Sequence, residues 1–395
     1  MLVRTGALLV AVLGALTAVW ADAPAVRARA AVLIDADTGQ VLYAKNAHMR
    51  LPPASLTKIM TAILVLERCD LDATVKASRR ATLVEPSSMH LREGEQVKVR
   101  DLLYALMLRS ANDAAVALAE HVAGSVEAFA QQMNQKARAL GAKNTHFVNP
   151  HGLHHPQHLS TAYDLALITR YAMQNETFRA IVKTPFYIVE RSHNQDDLWM
   201  VNKAKFLYLY PYAEGVKTGY TRQAGFCFAG SAIRDGRRLI SVVLDSKQRE
   251  ADTIALMEHG FNDWVRIDLA EGTLVGTLRV ENGEPEQLTV RLAQPLRWAV
   301  PKAERPRYHW AVVANPPTPP VQLGAVVGTL VLYRDGRPLL KLPVVAAHEV
   351  VPRSKLASLS GWILGGGLLT VIWRWQRRRR LMRSYIRVQR KPYRA

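Results

Sequence analysis

The sequence predicts a mixed α/β domain over about residues 24–268, a small all-β domain over 269–350, and one C-terminal transmembrane helix over 356–373. Three observations lead there. Helical and strand-like periodicities alternate up to about Ile267, after which only short strands follow. An uncharged apolar run near the C-terminus ends in a block of arginines. A chain of 395 residues also exceeds what one small core organises. An apolar fraction of 49% against 22% charged residues excludes wholesale disorder, and two cysteines exclude a disulfide-stapled scaffold. The net charge of +19 is unevenly spread. Residues 374–395 hold ten Lys or Arg and no acid, so a nucleic-acid-binding body is not indicated.

The elements follow in order. Arg4 precedes seventeen uncharged residues, Thr5 to Ala21, with small residues at their end; this is an export signal peptide over 1–21, the alternative being an uncleaved anchor. Ala30–Ala36 and Gln40–Lys45 flank Asp37-Thr38-Gly39 and predict a hairpin. Ser55–Arg68, Asp101–Ala123, Ser125–Leu140, Thr161–Met173 and Asp252–Val265 carry helical periodicity. Phe226–Ile233 and Arg238–Leu244 flank the turn Arg234-Asp235-Gly236-Arg237. Strands are then expected at Thr273–Glu281, Gln287–Leu292, Trp310–Ala314, Ala325–Tyr333 and Leu339–Val345.

The run Leu356 to Trp373 has no charge and no polar face, and as a helix is about 27 Å long, near the thickness of a hydrocarbon core. Arg374, Arg377, Arg378, Arg379 and Arg380 follow, so the 374–395 tail is expected in the cytoplasm and all that precedes Leu356 outside it. A buried core helix is the alternative. The tail is either an amphipathic segment on anionic headgroups or a plain stop-transfer block.

The chemistry concentrates in the first domain. Ser55-Leu56-Thr57-Lys58 follows Pro52-Pro53-Ala54 and opens an apolar helix, which puts Ser55 and Lys58 on one face. A lysine that activates a serine must be desolvated or placed near cations, since its free pKa is about 10.4. Lys217-Thr218-Gly219 sets a cation, a hydroxyl and a bare backbone along one short strand, suited to a substrate carboxylate and close backbone approach. Ser-x-Asn occurs twice. Ser110-Ala111-Asn112 closes the apolar run Leu102–Leu108 and is the candidate; Ser192-His193-Asn194 lies in a polar loop.

The order Ser-x-x-Lys, Ser-x-Asn, Lys-Thr-Gly is the signature of penicillin-recognising serine enzymes. With Asn149-Pro150-His151-Gly152-Leu153, Thr161-Ala162-Tyr163-Asp164-Leu165 and Gly215–Thr221, the chain resembles the low-molecular-mass penicillin-binding D-alanyl-D-alanine carboxypeptidases over roughly residues 25–265. The resemblance implies a β-lactamase/transpeptidase-like antiparallel sheet with flanking helices. It implies that Ser55 attacks the bond between the terminal D-alanines of a peptidoglycan stem peptide, with Lys58 as base, and that Ser110 and Asn112 relay protons. Lys217 and Thr218 would bind the terminal carboxylate, Gly219 would let the substrate approach, and the N–H groups of Ser55 and Tyr220 would form the oxyanion hole. Arg249 falls where some relatives keep an arginine near the carboxylate site. β-Lactams would trap Ser55. The implied partners are thus a stem peptide ending in D-Ala-D-Ala, β-lactams and a lipid membrane, with no cofactor and no nucleic acid.

This sequence departs from the family pattern at Ala111, often glycine, and at Tyr220, histidine in some members. A β-lactamase, a transpeptidase on the same site, and a catalytically idle wall binder remain as alternatives. His146, His151, His154, His155 and His158 cluster with irregular spacing and no framing carboxylate, so no metal site is assigned. Cys227 is expected as a buried thiol, and whether it bridges to Cys69 is open.

Overall fold

The computed structural model describes residues 24–193 and 197–353. The apolar strand Ala30–Asp35 near the N-terminus pairs with Arg237–Leu244 far along the chain, so the first domain closes on itself. Its sheet is antiparallel, in the order Val41–Lys45, Ala30–Asp35, Arg237–Leu244, Gly225–Arg234, Ala213–Thr221. Ala30 pairs with Leu244 and Asp35 with Leu239. Strand side chains alternate between two faces. Val32, Ile34, Ile240 and Val242 pack into the large helical core, whereas Ala31, Leu33, Leu239 and Val243 pack against Leu256 and Met257 of the helix Arg249–Asn262. The helices Thr57–Arg68, Asn112–Ala123, Val126–Ala139 and Ala162–Ala172 lie on the other side of the sheet. The strand Ala213–Thr221 is an edge strand, so one row of its backbone groups stays open for pairing.

The second domain holds a five-stranded antiparallel sheet in the order Leu274–Arg279, Gln287–Leu292, Arg337–Ala346, Val326–Arg334, Tyr308–Val313. A second ribbon pairs Trp264–Leu269 with Leu296–Pro301. The helix expected over Asp252–Val265 therefore stops at Asn262, because Trp264 and Val265 pair with Pro301 and Val300. Their apolar side chains fit either period, and the long-range partner decides. The domains meet at the first hairpin. Gln40 donates to Ala299 O at 3.2 Å and accepts from Ala299 N at 2.7 Å, and Arg266 pairs with Asp37 at 2.7 Å.

One expectation is corrected. No helix among the described residues is long and apolar enough to cross a membrane, and the described residues form an α/β domain plus a β domain. The run 356–373 to which that helix was assigned, the basic tail 374–395 and the export segment 1–21 all lie outside the described residues.

Candidate active site

Ser55 sits on a constrained turn. Pro53 leads into Ala54, whose φ of +48° is in the left-handed region, at a cost of about 1–2 kcal/mol for an L-residue. Ala54–Leu56 then forms a single 3-10 turn that runs into the helix Thr57–Arg68. Two neighbours hold the turn. The Thr57 hydroxyl donates to Ala54 O at 2.8 Å and accepts from His158 Nε2 at 2.8 Å, a direction fixed because His158 Nδ1 accepts from Val148 N at 3.0 Å. Burial pushes the His158 imidazole down to about 3, so it stays neutral in this role. On the same side the Asn149–Leu153 turn presses against Ala54. Gly152 has φ +89°, and a Cβ there would lie 1.9 Å from Ala54 O. Only glycine fits.

Lys58 is fully buried one helical turn further on. Its Nζ lies 3.1 Å from Ser55 Oγ, 2.6 Å from Asn112 Oδ1 and 2.7 Å from His151 O. Burial drives its pKa well below the ordinary lysine value, the positive charge of Lys217 adds to the shift, and Asp113 opposes it. A neutral amine has two N–H donors and one lone pair. The two carbonyl oxygens take the donors, and the lone pair is left facing the Ser55 hydroxyl.

Asn112 is oriented by Glu85, whose carbonyl accepts from Asn112 Nδ2 at 2.6 Å, while Asn112 N donates to Ser87 O at 2.7 Å. The neighbouring Asp113 carboxylate accepts from Ser88 Oγ at 2.5 Å and from Met89 N and Leu91 N at 3.1 Å. The loop 85–91 is thereby fastened to the start of the helix Asn112–Ala123. The continuous helix expected over Asp101–Ala123 is broken here. Val99–Tyr104 passes through a π turn at Ala105–Arg109 to Ser110, which is buried with φ +68°, before the next helix begins. The apolar periodicity is the same on both sides of the break. Its only local mark is the polar run Ser110-Ala111-Asn112-Asp113, of the kind that starts a helix.

Across the cleft, Lys217 is buried in the edge strand and donates to Thr218 O at 3.1 Å. Burial first, then Lys203 and Arg249, lowers its pKa to about 7. Gly219 meets the nucleophile turn directly: a Cβ there would lie 3.2 Å from Ala54 Cβ and 3.3 Å from Ser55 N. The Asn149–Leu153 turn and the Lys217 strand thus both bear on the Ser55 turn, each through a glycine. Tyr220 is exposed and packs on Phe226 with ring centroids 4.6 Å apart. Arg249 lies over the same Phe226 at 5.5 Å, donates to Gly219 O at 3.4 Å, and pairs with Glu250 at 2.8 Å.

Sequence reasoning missed Lys203. It is exposed, its Nζ donates to Ser87 Oγ at 3.4 Å, and its charge is felt by both Lys58 and Lys217. Thr57, Asp113 and His158 were missed too, since their partners lie far away in sequence. The histidine cluster disperses: His151 Nδ1 accepts from Leu153 N, His146 contacts Gln157 O, and His158 holds Thr57. Among the described residues no group of three or more His, Cys, Asp or Glu is placed to hold a metal ion. Cys69 and Cys227 are free thiols, and burial pushes that of Cys227 up to about 12.

A buried lysine against a serine, under the open edge of an antiparallel sheet, defines the class of serine hydrolases that take a lysine rather than a histidine as partner. Comparison with known proteins makes this specific. The family model for D-alanyl-D-alanine carboxypeptidase matches residues 17–248, and that for the penicillin-binding protein 5 C-terminal domain matches 269–352. The chain belongs to the D-alanyl-D-alanine carboxypeptidase family. It is 34% identical to D-alanyl-D-alanine carboxypeptidase DacF of Bacillus subtilis over 82% of this chain and 86% of that protein. It is also 34% identical to D-alanyl-D-alanine carboxypeptidase DacD of Escherichia coli, over 86% of this chain and 91% of the relative. Among solved structures, penicillin binding protein 5 from Haemophilus influenzae superposes with a TM-score of 0.72 at 28% identity, covering 84% of this chain and all of that one.

Proposed function

We propose that this chain is a serine-type D-Ala-D-Ala carboxypeptidase that removes the terminal D-alanine from peptidoglycan stem peptides through an acyl-enzyme on Ser55. The observation that carries the reading is the set of three partners around Lys58, which leaves a neutral amine with its lone pair on Ser55 Oγ. Lys58 takes the hydroxyl proton as Ser55 Oγ attacks the carbonyl between the two D-alanines. The oxyanion forms against the N–H groups of Ser55 and Tyr220, which the close approach of Gly219 brings together; loss of one such donor typically costs a few kcal/mol. The C–N bond breaks as the leaving amine receives a proton through Ser110 and Lys58, and Asn112 holds the donor peptide. Lys217, Thr218 and Lys203 bind the carboxylate of the departing D-alanine, and Arg249 braces the strand through Gly219 O. Water then hydrolyses the ester. A β-lactam ring presents the same carbonyl and carboxylate and acylates Ser55. Because the substrate belongs to the cell wall, the catalytic domain works on the extracytoplasmic side.

The test pairs fluorescent-penicillin labelling with D-alanine release from a pentapeptide, on the full chain and on Ser55→Ala. Slow-clearing label and D-alanine release on the parent alone are expected. Rapid penicillin turnover without D-alanine release contradicts the reading in favour of a β-lactamase, and no label on folded protein does so in favour of an idle binder.

A further inference from the structure

The loop 85–91 that orients Asn112 is gripped a second time, from a distant part of the chain. Arg191 lies in the connection between the paired strands Phe186–Ile188 and Trp199–Val201. Its side chain and that of Glu95 are both wholly shielded from solvent, at 0% exposure. The two meet as a fork: Arg191 Nε donates to Glu95 Oε1 at 2.8 Å and Nη2 to Glu95 Oε2 at 3.0 Å. The remaining guanidinium protons go to backbone carbonyls. Nη1 donates to Met89 O at 2.6 Å and Asp197 O at 3.3 Å, and Nη2 to His90 O at 3.1 Å. All five N–H groups of the fork therefore have acceptors. The same loop peptides are held from the other side by Asp113, which accepts from Met89 N and Leu91 N at 3.1 Å. The His90–Leu91 peptide thus has its carbonyl on Arg191 and its N–H on Asp113. His90 itself sits at φ +58°, a conformation an L-residue keeps only where its surroundings impose it. Stability alone is weak ground for such a pair, because apolar residues of similar volume often replace a buried ion pair without loss.

We propose that Arg191 is a positioning residue for acyl transfer: anchored on Glu95, it locks the Met89 and His90 carbonyls, and through the loop 85–91 it fixes the Asn112 amide toward Lys58. The inference rests on the function proposed above. The path is contiguous. Arg191 and Asp113 hold the 89–91 peptides, the same loop presents Ser87 O to Asn112 N and Glu85 O to Asn112 Nδ2, and Asn112 Oδ1 then accepts from Lys58 Nζ at 2.6 Å. Without Arg191 the loop keeps its N–H bonds to Asp113 and loses the carbonyl half of the grip. Glu85 O then drifts from Asn112 Nδ2, and the amide is free to turn. A turned amide offers Lys58 an NH2 group in place of an acceptor, and the amine no longer aims its lone pair at Ser55 Oγ. Arg191 reaches the reaction only through this loop, which fits a side chain whose donors all end on one carboxylate and three carbonyls.

The experiment measures, on the full chain, the thermal melt and the acylation rate at saturating fluorescent penicillin for Arg191→Met, the double variant Arg191→Met with Glu95→Met, and Arg191→Lys. Arg191→Met leaves the Glu95 carboxylate buried and unpaired, so both the melting temperature and the acylation rate should fall. The double variant removes both charges and keeps the volume. Its melt should return to near the parent value, while acylation stays about ten- to hundredfold slower, because the Met89 and His90 carbonyls remain unheld. Arg191→Lys keeps the charge against Glu95 but brings three N–H donors to five acceptors, and should fold and acylate about three- to tenfold more slowly. Recovery of acylation together with the melt in the double variant overturns the proposal, since the pair then serves stability alone. Where the double variant does not fold, Arg191→Lys decides: a parent-like rate overturns the proposal and a slowed one upholds it. A parent that takes no penicillin label and releases no D-alanine instead overturns the underlying function, and the positioning role with it.

Discussion

The two domains bury different kinds of side chain. Between Asp35 and His259 the first domain encloses Lys58, Asn112, Asp113, His158 and Lys217 among its apolar residues, whereas the β domain buries no polar or charged side chain among its described residues. Its core of Leu288, Val290, Leu330, Leu332 and Val344 is apolar throughout. Burying an amine or a carboxylate costs free energy unless every hydrogen bond is made. The first domain carries that cost where its chemistry lies. The β domain has only a shape to hold, and it meets the first domain through the Gln40–Ala299 pair and the Arg266–Asp37 ion pair.

The contrast is broken most severely at Lys58. Lys58→Met keeps the volume and removes the base, and acylation by fluorescent penicillin should slow about 10²–10⁴-fold with the melting temperature unchanged or raised. Next comes Gly152→Ala. The new methyl cannot coexist with Ala54 O, so the nucleophile turn shifts; acylation should fall about 10²-fold and stability by roughly 2–3 kcal/mol, read by denaturant titration.

Lys217 sharpens the comparison through pH. The folded protein binds its proton less tightly than the unfolded chain, about 7 against an ordinary value near 10.4. Between those values the unfolded state holds the extra proton, so stability rises with pH; below about 7 the burial penalty is present in full. Lys217→Met should therefore raise the melting temperature most below pH 7, and the gain should shrink toward pH 10, while acylation is lost. A gain independent of pH would mean that Lys217 is not desolvated. The mildest effect on chemistry belongs to the other domain. Leu330→Ala should destabilise the β domain by about 2–5 kcal/mol yet leave the acylation rate within twofold, and a larger fall would show that the domains are energetically coupled.

What the sequence discloses follows the same division. Ser55 and Lys58 are legible because a three-residue spacing on a helix is local, and Lys217-Thr218-Gly219 because a strand keeps its residues in line. The groups that tune them are not local. His151 and His158 lie 93 and 101 positions from their partners Lys58 and Thr57, and nothing in the spacing of five histidines says which of them turns inward. Asp113 stands beside an expected site residue, but its work is on Met89 and Leu91, which only the folded chain brings near. Folded-chain geometry overrules periodicity at two helix ends, at Ser110 and before Trp264. Gly152 was visible as part of a turn; that it makes room for Ala54 was not.

Burial and two carbonyl acceptors keep Lys58 neutral beside Ser55, and NMR of the full chain with lysine labelled at 13Cε reads that state, the Lys58 signal being identified by its loss in Lys58→Met. A neutral-amine shift at pH 7–8, with protonation only at lower pH, is the predicted result. A Lys58 signal that stays protonated up to the ordinary lysine range near 10.4 would contradict the account.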